Sequence, residues 1–167
     1  LITAVLFAAC SKNEQPAETF TGKVIQSEKQ KFGIDTITAE LTNPWGIAFL
    51  PDGRILVTER AGEIRIIKDG SLQAEKIGNV PAVFANGQGG LMDIKLHPDY
   101  ASNGWIYFSF AKPGEGGGGT VIARAKLEGN NLTGIEELFT ALPLSGSGAH
   151  FGSRIVRQCA SARSRQS

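Results

Sequence analysis

From Asn43 onward the apolar residues come in short runs divided by turn residues, a spacing that predicts strands rather than helices. In WGIAFLPDGRILVTERAGEIRIIKDG, Trp45–Leu50 reads as one strand, Arg54–Glu59 as a second and Glu63–Lys68 as a third, alternating one. Pro51-Asp52-Gly53 reads as a tight turn, with proline setting φ and glycine supplying a positive φ, and Ala61-Gly62 as another. The pattern returns in LMDIKLHPDYASNGWIYFSF: an apolar run, a Pro-Asp turn and a second apolar run, with Asp52 and Asp99 standing 47 positions apart. Gly119–Leu127 and Ile135–Thr140 then predict two further strands. A repeat of about 40–50 residues holding four strands is the signature of propeller blades, sheets that bury their faces only by stacking on their neighbours. The fold class predicted is therefore all-β, with the blades of a propeller over residues 32–156. A third unit opens at HFGSRIV, where Ile155 and Val156 align with Ile47 and Ala48. The strand pattern stops after Val156, and residues 157–167, RQCASARSRQS, read as an aberrant or disordered basic tail, either a frameshifted end or a natural extension.

The chain has 167 residues, 41% of them hydrophobic and 20% charged, which excludes disorder throughout. Its 21 glycines suit a turn-rich β fold. A net charge of +1 gives no footprint for a nucleic acid. The tail holds Arg157, Arg163 and Arg165 and no acid, so the remaining 14 basic and 16 acidic residues leave the body at −2. Residues 1–9, LITAVLFAA, are too few to cross a bilayer as a helix but suit the end of a signal-peptide core. They meet Cys10 after Ala8 and Ala9 and give way to a polar stretch, residues 11–31, read as a tether. This resembles a bacterial lipoprotein signal in residues 1–10, with Phe7 departing from the leucine usual at that place. The expectation is export, lipidation on Cys10 and anchorage on an extracytoplasmic membrane face; the alternative is a buried apolar strand with a free cysteine. Neither Cys10 nor Cys159 sits in a metal-binding pattern.

PWGIAFLPDGRILVTER, GQGGLMDIKLHPDY and GAHFGSRIV, in that order over about residues 40–156, resemble the glucose/sorbosone dehydrogenase family. The resemblance implies a six-bladed propeller of which two to three blades lie here. It also implies binding of pyrroloquinoline quinone (PQQ) and calcium, and oxidation of aldoses to lactones with electrons passed to an acceptor. Most ligands of the cofactor and the metal are expected beyond this chain, so no metal ligand is assigned here. A non-catalytic ligand-binding propeller and a calcium-dependent lactonase-type propeller are the alternatives.

Removing the hydroxyl proton from a sugar needs a base that works near neutrality, and a neutral imidazole does so. His150 lies in SGSGAHFGSR among small residues, and it matches the family's catalytic histidine in His-x-Gly-x-Arg. Gln88, in Asn86-Gly87-Gln88-Gly89-Gly90, has an amide able both to donate to and accept from sugar hydroxyls, and matches a substrate-binding glutamine of the family. Arg154, four places after the histidine, is a candidate supporting group. Ala149 stands where some glucose-oxidising members carry an acid, which points to the broader aldose branch. His97, Asp52 and Asp99 read as turn residues. Gly114–Gly119 lacks the Lys-Ser/Thr partner and helix of a phosphate loop and reads as a hairpin connection.

Overall fold

A computed structural model describes residues 22–156. Cys10, Cys159 and residues 157–167 lie outside them, so the signal and tail readings have no structural counterpart. Two compact units divide the chain between Thr36 and Ile37. In the first, β1 (Lys23–Gln26) and β2 (Lys31–Ile34) pair antiparallel, Lys23 opposite Ile34 and Gln26 opposite Lys31. Ser27 closes the turn, its N–H and Oγ both donating to the Gln30 carbonyl at 3.0 and 2.7 Å. Part of the stretch read as a polar tether is thus a hairpin, whose short strands carry too little apolar patterning to announce themselves.

The second unit holds two four-stranded antiparallel sheets, each meandering from one strand to the next. The first runs β3 (Pro44–Phe49), β4 (Ile55–Glu59), β5 (Glu63–Lys68), β6 (Ser71–Lys76). The second runs β7 (Leu91–Leu96), β8 (Trp105–Gly114), β9 (Gly117–Glu128), β10 (Asn131–Thr140), with a four-residue helix α1 (Tyr100–Asn103) between β7 and β8. These are the blades expected. The polar SLQAEK of β6 completes the first sheet as an edge strand that hydropathy alone did not reveal. The turn chemistry is also as expected: Gly53 has φ 86° and donates its N–H to the Leu50 carbonyl at 3.1 Å. His97 closes the β7–α1 turn, its Nδ1 accepting the Asp99 N–H at 3.0 Å. The glycine-rich connection is tighter than expected. Pairing of β8 with β9 continues to Gly114 opposite Gly117, so Gly118 and Gly119 belong to the strand itself.

The core lies between the two sheets. Leu56, Ile64, Ile66, Leu91, Ile94, Ile106 and Phe108 are buried there, each contributing about 1.5–3 kcal/mol by leaving water. Within the second sheet large residues face small ones: Phe108 opposite Ala123 and Ile106 opposite Ala125, which lets the layer fill without overlap. The other face of β3 is uncovered among the described residues. Trp45, Ile47 and Phe49 alternate along it, with Phe49 66% exposed.

The innermost strands β3 and β7 meet backbone to backbone. A Cβ at Gly46 would lie 2.9 Å from the Met92 carbonyl oxygen and 3.0 Å from the Ile94 nitrogen, so only glycine fits. Each inner strand also carries a bulge. Pro44 pairs with Glu59 and Ile47 with Val57, which leaves Trp45 and Gly46 facing the single residue Thr58. Leu91 pairs with Phe110 and Ile94 with Phe108, which leaves Met92 and Asp93 facing Ser109. A bulge breaks the ladder, and a side-chain hydroxyl repairs it in both sheets. Thr58 Oγ1 accepts the Gly46 N–H at 2.8 Å and donates to the Met92 carbonyl at 2.5 Å. Ser109 Oγ accepts the Asp93 N–H at 3.1 Å and bonds Ser153 Oγ.

Candidate active site

Two of the residues singled out for chemistry meet in space although 62 positions separate them. The backbone N–H of His150 donates to Gln88 Oε1 at 2.8 Å. The N–H of Gln88 in turn donates to the Gly148 carbonyl at 2.8 Å. The two loops are pressed together there: a Cβ on Gly87, whose φ is 55°, would run into the Gly148 carbonyl. Arg60, at the end of β4, fixes the Gln88 loop from behind. Its Nη1 bonds the Gly87 carbonyl, and its own carbonyl accepts the Leu91 N–H at 3.0 Å.

His150 has φ 66°, a left-handed conformation uncommon outside glycine and often kept at functional positions. Its side chain is exposed, whereas that of the next residue, Phe151, is buried and packs at 5.8 Å between ring centroids against Phe84. Phe84 lies over Gly118, where a Cβ would come within 2.5 Å of its ring. The segment from Ala141 to Ser145 returns along β9, Ser145 and Gly118 exchanging both backbone hydrogen bonds at 2.9 and 3.0 Å. These contacts explain Gly117, Gly118 and Gly119 of GEGGGG, which let a loop and an aromatic ring lie directly on the strand. Between them opens a shallow cleft of about 270 Å³, bordered by Gly118, Thr120, Pro143, Ala149, His150 and Phe151.

Arg154 lies apart from the cleft lining. Its Nη1 reaches Asp93 Oδ1 at 3.3 Å, and Asp93 Oδ2 accepts the Ile155 N–H at 2.7 Å. Asp93 is fully buried. The sequence reading passed over it, although an acid in the middle of the apolar run LMDIKL is the kind of signal that marks a buried polar anchor. Residues 150–156, expected to begin an inner strand, have no ladder partner among the described residues; side chains of Asp93 and Ser109 hold them instead.

The cleft wall, made of small residues and one aromatic, suits the face of a flat ring system. It carries no cationic side chain among the described lining residues, so it does not by itself balance a polycarboxylate. Among the described residues no group of three or more His, Cys, Asp or Glu is placed to hold a metal ion. No ligand of a cofactor or of calcium is therefore assigned.

A stacked pair of four-stranded blades, with a glutamine side chain bonded to the backbone of a histidine that borders a glycine-lined cleft, defines part of a β-propeller with a candidate active site. The glucose/sorbosone dehydrogenase family model matches residues 41–161, and the chain belongs to that family. It is 35% identical over 127 residues to the aldose sugar dehydrogenase of Escherichia coli K12, a match covering 74% of this chain and 34% of that protein. The crystal structure of the soluble E. coli aldose sugar dehydrogenase in its apo form superposes with a TM-score of 0.69 at 35% identity, over 74% of this chain and 37% of that one. The PQQ-bound aldose sugar dehydrogenase of Streptomyces coelicolor gives a TM-score of 0.57 at 31% identity, over 66% and 34% of the two chains. The chain thus spans little more than a third of the length of these relatives.

Proposed function

We propose that this chain supplies the base and one substrate-binding group of an aldose dehydrogenase that uses PQQ. The observation that carries the reading is the hydrogen bond from the His150 backbone to Gln88 Oε1, which joins two candidates matched to the same family from motifs 62 positions apart. Oxidising an aldose to a lactone removes a hydride from the anomeric carbon and a proton from its hydroxyl. His150 accepts the proton through its exposed imidazole. Gln88 uses Oε1 on the His150 backbone, which leaves its NH₂ to donate to a sugar oxygen. The family's quinone, when bound, would accept the hydride, and most of its charged surroundings and calcium ligands are expected from outside this chain. Ala149 beside the base places no acid against the sugar, in keeping with a broad aldose range. Cys10 would anchor the protein on an extracytoplasmic membrane face, and labelled fatty acid should enter the wild type but not Cys10→Ala.

The test uses the whole enzyme carrying these residues. His150→Ala should lower kcat for every aldose by about 10²–10⁴-fold, the range for a general base, with PQQ binding retained. Dye reduction at near wild-type rates would overturn the assignment. Lactone hydrolysis without aldose-dependent dye reduction would favour a lactonase-type propeller instead.

A further inference from the structure

We infer that Asp93 is a positioning residue for the same reaction: it anchors the segment that carries His150. The inference rests on His150 being the base.

Asp93 belongs to the bulge of β7, so its backbone N–H is taken by Ser109 and its side chain is turned to the segment beyond His150. A carboxylate with no exposed surface must have its lone pairs satisfied, and these are. Oδ2 accepts the Ile155 N–H at 2.7 Å; Oδ1 accepts the Ile94 N–H at 3.1 Å and Arg154 Nη1 at 3.3 Å, with Lys95 Nζ at 3.9 Å. Ser109, whose Oγ holds the Asp93 N–H, also bonds Ser153. Among the described residues, 153–155 are therefore bound to β7 and β8 through the side chains of Asp93 and Ser109, with no strand ladder to share the task. On the other side of the histidine, Gln88 grips Gly148 and His150. Phe151, between the two anchors, is sunk against Phe84 and Met92. The base is thus a short span fixed at both ends. Freeing the Asp93 end lets residues 150–156 sample other conformations while the Gln88 end still holds. A base displaced by even about 1 Å loses much of its rate advantage. Arg154, mostly exposed, serves here as a partner of Asp93.

The test reads backbone hydrogen exchange in the whole protein without cofactor or sugar, together with steady-state kinetics of the loaded enzyme. Asp93→Ala should speed exchange over residues 150–156 by about tenfold to a hundredfold, the factor expected for losing a charge-assisted hydrogen bond. Protection across β8 and β9 should remain. kcat should fall while KM changes little, because the sugar-binding amide of Gln88 is untouched. Asp93→Asn keeps an oxygen for the Ile155 N–H and should lie between wild type and Asp93→Ala in both readouts. Unchanged exchange over 150–156 in Asp93→Ala overturns the inference. So does loss of protection throughout β8 and β9 in both variants, which would make Asp93 a general core residue. Faster exchange with undiminished kcat also overturns it. If His150→Ala stays active, the base assignment fails, an outcome read from a separate variant.

Discussion

Replacing Thr58 by valine changes one oxygen for a methyl group of nearly the same size, so its cost measures the hydroxyl alone. That hydroxyl has no exposed surface, accepts from Gly46 and donates to Met92 across the seam between the two sheets. The variant strands two buried backbone groups, the Gly46 N–H and the Met92 carbonyl. Each costs about 1–3 kcal/mol when left without a partner. Water is a poor substitute, because Gly46 and Met92 approach too closely to admit even a Cβ. The expected loss is therefore about 2–6 kcal/mol. Thr58→Ser keeps both hydrogen bonds and gives up one methyl group, a loss of about 1 kcal/mol. Urea unfolding of wild type, Thr58→Val and Thr58→Ser, followed by tryptophan fluorescence, supplies the comparison. The m-value should be the same in all three, since the surface exposed on unfolding barely changes. If the valine variant is as stable as the serine variant within about 0.5 kcal/mol, the hydroxyl does not repair the bulge and the account of the seam is wrong.

Gln88→Glu retains an acceptor for the His150 N–H but turns the sugar-facing donor into an acceptor; it should leave exchange at residues 148–150 unaltered while changing the ranking of aldoses by kcat/KM. Gln88→Ala loses both bonds, at about 1–3 kcal/mol, and should loosen that loop as well, so identical behaviour of the two variants would contradict the assigned geometry. Gly118→Ala drives a methyl into the Phe84 ring and should lower stability by about 1–3 kcal/mol, seen as a lower melting temperature; a neutral result would mean that Phe84 does not rest on β9. The hydrogen bond from Arg54 holds the Asp52 carboxyl below the usual carboxylate range, against the opposing effect of burial. Its contribution to stability is thus full above the unfolded value near 3.8 and is lost as pH falls through the lower folded value. Asp52→Asn should accordingly narrow its stability gap from wild type at acid pH, and a urea midpoint difference that widens on acidification would refute this.

Where strands are half-buried or fully buried, the hydropathy pattern located them: β3, β4, β5, β7 and β8 follow their apolar runs closely. The β6 edge and the hairpin at residues 23–34 escaped it because their pairing depends on backbone hydrogen bonds rather than on burial, and composition registers burial best. The site divides in the same way. His150 and Gln88 stood out by chemistry and by motif. Their mutual contact did not, since it depends on how two glycine-rich loops fold onto each other. Thr58 and Ser109 were invisible as anchors for another reason, and Asp93, though conspicuous as an acid in an apolar run, did not reveal what it anchors. The hydroxyls acquire their role from the bulge opposite them and the acid from the bulge it sits in, and a bulge is a matter of register, which linear sequence does not display.

The two bulge repairs share one peptide group. The carbonyl of Met92, which takes the Thr58 proton, and the N–H of Asp93, which is taken by Ser109, are the two ends of the same amide. Read in order, Gly46 donates to Thr58, Thr58 to Met92, Asp93 to Ser109, and Ser109 is paired with Ser153. Every link through Ser109 points the same way, so the dipoles lie head to tail from one inner strand to the next and each polarises its successor. Such a conductor of polarisation makes neighbouring seams energetically dependent. Thr58→Val and Ser109→Ala should then fail to add in a double-mutant cycle, because once either end of the Met92–Asp93 amide is released the other bond is already weaker. The stacking of these blades would behave less like independent courses of brick than like a series circuit, in which a break at one seam is felt at the next.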